Sequence, residues 1–318
     1  MKRAGLIIFL LLKTSLFFSQ KKSEILTGAF INSIYDLNLP EESFKIDMWI
    51  WCTYKDTNLK MNKLIEFPNT KEFSFSNDVL QEKDSYQWLT MRATGEVMKN
   101  WKSKNFPFDK QILNVSLGFS FDTSTGYIVA DTNNSKIDPD FKLNGWKIDQ
   151  VKFKSGTKVY TTNFGDPSIA FGKSTYPEFN IEVFISREDS IMTLTKLILG
   201  LIIAFLISCC VFFIKPINTD PRFGLCVGGL FTAVGNKYIT DSFVPYSNQM
   251  TLIDNLHSLT FVSIFLIIIQ SVVSLWIFEK GLLKSEINSK KFDLYSFGVI
   301  FIFYVASCSV LIFNASIA

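Results

Sequence analysis

The stretch DPRFGLCVGGLFTAVGNKYITD, residues 220–241, decides how the rest of the chain is read. It is apolar from 223 to 236, but glycine occupies 224, 228, 229 and 235, and Lys237 and Asp241 follow. A charge near the middle of a bilayer costs ~2.5–3.5 kcal/mol or more unless it faces protein or water. This segment therefore cannot be ringed by lipid and reads as one that lines something. Around it lie three uncharged runs, 197–214, 259–278 and 294–318. Each is long enough to cross a bilayer, which takes roughly 17–25 helical residues. The reading is four spans, at about 194–214, 222–243, 257–278 and 294–316, in a membrane domain covering 191–318.

Composition points the same way. Of 318 residues 48% are hydrophobic and 19% charged, and mean hydropathy is +0.22, on the membrane side of soluble proteins. A formal charge of +3 gives no reason to expect nucleic acid as a partner. One histidine, no nucleophile beside a base, no phosphate loop and no metal-ligand spacing argue against an enzyme, a metal site or a cofactor. Cys52 is the single cysteine before the spans, so no disulfide closes there.

Residues 1–20 begin with Lys2 and Arg3, continue through apolar 6–12, and read as a secretory signal cleaved near Ser19 or Gln20. The alternative is a retained anchor helix. Lys215 and Arg222 mark one inter-span loop, and Lys280, Lys284, Lys290 and Lys291 another, while 243–255 holds no basic residue. The positive-inside bias puts the first two loops in the cytoplasm. A multi-pass protein of the cell (inner) membrane follows, with its N-terminal domain extracellular or periplasmic.

Residues 21–190 read as β structure. Ile46, Met48, Ile50 and Cys52 alternate with Asp47, Trp49, Trp51 and Thr53; 113–119 and 179–186 repeat the pattern. Turn signals at Pro40, Pro139, Gly145 and Pro167 divide the runs. The expected fold is an all-β immunoglobulin-like sandwich followed by a four-helix transmembrane domain.

Helix geometry then groups residues three and four apart on one face. From Asp220 these are Gly224, Gly228, Phe231, Gly235, then Tyr238 or Ile239, and Ser242. A repeated Asp220 would form an acidic ring favouring cations, and a repeated Phe231 an apolar gate. Asp220 reads equally as a helix cap before Pro221, and Phe231 as a packing residue. Lys237 can pair with Asp241 or, facing a pore, oppose cations.

Phe106-Pro107-Phe108-Asp109-Lys110-Gln111, Trp49 followed by Tyr54 and Asp56, Gly145-Trp146-Lys147-Ile148, and Tyr176-Pro177-Glu178 running to Arg187 carry a resemblance. In that order they resemble the pentameric ligand-gated ion channels, the nicotinic-receptor superfamily, in a prokaryotic form without the Cys-loop disulfide. The resemblance implies a homopentamer in the lipid bilayer that passes inorganic ions and opens on a small-molecule ligand or protons. It aligns Asp220 with the acidic cytoplasmic mouth, Trp49, Phe119 or Phe121, and Tyr176 with an aromatic ligand box, and Asp109, Arg187, Glu41, Phe106, Pro107, Phe108 and Pro245 with the coupling region. Gly200, where the family usually has proline, and the glycine-rich second span depart from it. A non-conducting membrane sensor of the same fold, an anion-selective channel and a structural envelope protein are the other readings.

Overall fold

The computed structural model describes residues 22–167, 172–243, 249–280 and 285–317. The signal segment and Pro245 lie outside the described residues.

Ten strands come first: β1 (Ser23–Asn38), β2 (Ser43–Tyr54), β3 (Ile65–Glu66), β4 (Thr70–Lys83), β5 (Tyr86–Met98), β6 (Lys110–Phe119), β7 (Gly126–Ala130), β8 (Lys136–Ile137), β9 (Trp146–Tyr160) and β10 (Ser174–Arg187). They form two sheets. One runs β4-β5-β2-β1-β7 with β8 also on β1, and the other β3-β6-β10-β9. The period-two patterns decide what faces inward: Ile46, Met48 and Cys52 of β2, Leu113 and Phe119 of β6, and Phe179 and Val183 of β10 are fully buried in one shared core. Each such side chain contributes about 1.5–3 kcal/mol by leaving water. Trp51 faces away from that core and lies flat over Gly28, where a Cβ would sit 2.3 Å from the indole ring. Its Nε1 donates to Asp131 at 3.1 Å.

The immunoglobulin-like sandwich is corrected here. The sheets are open, and the larger is mixed: β1 pairs antiparallel with β2 but parallel with β7 and β8. Alternation of apolar residues reports which face is buried and carries nothing about strand direction, so the parallel pairings left no trace in it.

Four helices follow: α1 (Ser190–Cys209, prolonged by a 3-10 turn to Phe213), α2 (Thr219–Asp241), α3 (Leu252–Lys280) and α4 (Ser285–Ile317). Among the described residues three stretches are long and apolar enough to cross a membrane: Ser190–Phe213, Leu252–Lys280 and Glu286–Ile317. The four-span count is therefore corrected to three. In α2 the glycines, Asn236 and Lys237, which already set this segment apart in the sequence, dilute the apolar run too far for it to count as a span. This is a multi-pass membrane protein in contact with lipid, carrying a soluble N-terminal region.

α2 runs antiparallel along α1 from end to end. Asn236 Nδ2 donates to the Leu197 carbonyl at 3.0 Å, and Arg222 reaches the Ile214 carbonyl. Between them Gly229 lies against Ala204 and Ser208, where a Cβ would fall 2.8 Å from the Ala204 oxygen. Gly200, the departure noted in the sequence, leaves the room that Asn236 fills; a Cβ there would be 2.4 Å from Asn236 Oδ1. Small residues that let backbones approach are the usual basis of helix association in lipid.

One ion pair on the larger sheet makes a pH prediction. Arg92 Nη2 and Nε donate to the two Asp47 oxygens at 2.6 and 2.9 Å. The Arg92 hydrogen bonds hold the Asp47 carboxyl below its ordinary range. A depressed folded-state value contributes stability above the unfolded pKa of about 3.9 and loses it as pH falls through the folded value. Wild-type protein should thus lose more melting temperature between neutral pH and the acid side of that window than Asp47→Asn. Parallel acid profiles would show that the pair contributes nothing.

Candidate functional site: the junction of sheet and helices

Arg187 ends β10, and α1 begins at Ser190. Its Nε donates to Asp109 Oδ1 at 2.6 Å, and Asp109 is 3% exposed. The guanidinium lies over two rings, 4.2 Å from the centroid of Trp146 and 4.6 Å from that of Phe106. Gln111 completes the set. Its Nε2 donates to Asp109 Oδ2 at 2.8 Å and to the Lys102 carbonyl at 2.8 Å, and its Oε1 accepts from Lys102 N at 3.1 Å. The arginine is thus held by a carboxylate and by two aromatic π-clouds, a strong arrangement for a planar cation.

The loop preceding Asp109 reaches the helices. Phe106 is buried among Leu194 of α1 and Leu252, Ile253 and Leu256 of α3, with Phe108 against the same cluster. Pro107 is buried between them, after a cis peptide bond. The Lys104 carbonyl accepts from Leu252 N at 2.9 Å, capping the first turn of α3. Of the seven residues aligned with coupling, Phe106, Pro107, Phe108, Asp109 and Arg187 come together. Glu41 lies elsewhere, on a cleft of about 490 Å³ between the β1–β2 turn and Phe243 beyond the end of α2. Trp146 and Gln111 belong to the junction and were not assigned to it from sequence. Their signal was present, since Trp146 opens a strand and Gln111 ends the quoted motif.

The four residues aligned with the aromatic box lie as follows in the single chain. Phe119 is fully buried in the core, and Phe121 is 7% exposed at 5.7 Å from it. Trp49 is on β2 of the larger sheet and Tyr176 on β10 of the smaller. Tyr176 instead joins Tyr160 and Phe164 in an edge-to-face trio with centroids 5.3–6.0 Å apart.

On α2 the residues counted from Asp220 face away from the rest of the chain. Asp220, Gly224, Gly228, Phe231, Gly235, Tyr238, Ile239 and Ser242 are all exposed, and Phe231 is 73% so. Phe231 therefore packs against nothing within its own chain to any great extent. Asn218 holds the cap position, so Asp220 sits inside the first turn rather than capping it. Lys237 pairs with Asp241, as its spacing allows, and with Asp254 of α3, each at 2.5 Å. His257 is buried: Nδ1 donates to the Ile253 carbonyl at 2.8 Å, leaving Nε2 to accept from Asn236 Nδ2 at 3.2 Å. It is a satisfied structural histidine. No group of three or more metal-ligating side chains gathers among the described residues.

In comparison with known proteins, no family model and no curated protein matches the chain. The resemblance to pentameric ligand-gated ion channels is accordingly corrected. Three span-competent helices among the described residues replace the four it requires, and the sheets are open and mixed. The cation-channel function, the anion-selective variant and the non-conducting sensor of that fold fall with it.

Proposed function

We propose that the chain is a non-catalytic membrane transducer, in which the state of a water-facing β domain is passed mechanically to a helix bundle. The observation that carries this reading is the junction. A single loop, 103–108, is hydrogen-bonded to the start of α3 and buried against α1, and the next residue clamps the end of β10. Any shift of β6 against β10 must therefore move α1, α3 or both. The input would be a small molecule or protons acting on the β domain. Further copies of the same chain would cover the exposed face of α2, because Asp220 and its neighbouring glycines are poor company for lipid.

Hydrogen exchange on the full chain in lipid nanodiscs tests this. Phe106→Ala should speed exchange at the first turns of α1 and α3 while leaving the β2 amides protected. Light scattering on the wild-type preparation should give more than one chain per particle. Exchange changes confined to the 103–108 loop, or a single chain per particle, would reject the corresponding half of the proposal.

A further inference from the structure

α4 is the least buried of the three span-competent helices: 6% of its apolar window is covered, against 39% and 33% for the other two. In lipid, apolar surface gives little drive for one helix to find another, so packing and hydrogen bonds decide the docking. The polar groups of α4 that face the bundle are few and specific. Asp293 is 2% exposed and pairs with Arg222 of α2. Gln270 Nε2 of α3 donates to its other oxygen at 2.6 Å. Arg222 also donates from Nε and Nη2 to the Ile214 carbonyl, at 3.0 and 2.6 Å, where the chain turns between α1 and α2. One carboxylate on α4 is therefore gripped by α2 and α3 together, with the α1 end tied in through Arg222.

The cluster is not what packing alone would choose. Arg222 Nη1 and Gln270 Oε1 are buried without a hydrogen-bond partner among the described residues. A buried ion pair with unanswered polar atoms is poor at stabilising a fold, and its best-attested use is fixing register and partner. We propose that Arg222, Gln270 and Asp293 form a register latch that sets the depth and rotation at which α4 docks on the bundle. Two contacts further along would then follow from the latch: Ser274 Oγ with Ser289 Oγ at 2.8 Å, and Thr260 Oγ1 with the Tyr304 hydroxyl at 2.9 Å.

Cysteine cross-linking on the full chain in membranes reads the register directly. In a background with Cys52, Cys209, Cys210, Cys226 and Cys308 replaced, the pair Ser274→Cys with Ser289→Cys is compared with Ser274→Cys with Phe292→Cys, displaced by about a turn. With the latch intact the first pair should cross-link in strong preference to the second. Asp293→Ala should cut that preference roughly tenfold, the scale of interhelical hydrogen bonding in lipid. The apolar triple Arg222→Met, Gln270→Leu, Asp293→Leu guards against misfolding from an unpaired charge. It should keep α4 inserted and yet lose the preference. A triple variant or an Asp293→Ala variant that cross-links with the original selectivity would overturn the latch.

Discussion

Asp109→Ala should cost about 3–5 kcal/mol, the range for removing one partner of a buried ion pair. Arg187 would keep its contacts with Phe106 and Trp146 but lose the carboxylate 2.6 Å away, and Gln111 would lose an acceptor. An exposed pair would return about 1 kcal/mol or less; burial of Asp109 separates the two cases. Denaturant unfolding followed by tryptophan fluorescence is the direct measurement, since Trp146 lies in the site and Trp101 lies 6.3 Å from it. Removing Arg187 as well should recover part of the loss. A single-variant loss within the exposed-pair range would mean that water already answers the Arg187 charge.

Phe119→Ala is expected to destabilise the β domain by about 3–5 kcal/mol, as a buried phenylalanine truncated to alanine does. The ring is fully enclosed, beside Phe121 and in the core formed by both sheets. The same substitution distinguishes a core ring from a ligand-facing one. A ligand-facing aromatic would leave the unfolding midpoint within about 0.5 kcal/mol, typical of surface changes. An unfolding midpoint that barely moves would return Phe119 to the list of binding residues.

These two residues show what the sequence made legible. The motif from Phe106 to Gln111 singled out a loop that does meet Arg187 across 78 positions of chain. Period two placed the inward faces of β2, β6 and β10. Nothing in that periodicity could tell Phe119 in the core from Phe119 in a binding box, because both call for an apolar ring at the end of a strand. Helix geometry grouped Asp220, Gly224, Gly228, Phe231 and Gly235, all exposed on α2, since spacing fixes which residues share a face. It could not say whether α2 crosses lipid by itself, which depends on how Gly229, Asn236 and Gly200 seat it against α1. Asp293 and Gln270 were passed over for a related reason. Each is an isolated polar residue at the edge of or within an apolar run, and only the packing of three helices makes them neighbours.

The parallel pairing of β1 has a consequence for how the chain is made. As synthesis proceeds from the N-terminus, β1 can zip onto β2 as a local hairpin almost at once. Its opposite edge finds its partners only when residues 126–137 have emerged, roughly a hundred positions later. Through that interval an apolar strand with unpaired amides and carbonyls is open to any other strand that passes. Newly made chains are therefore most exposed to mispairing before β7 arrives, and a nascent chain halted between β5 and β7 is the one a chaperone would be needed to hold.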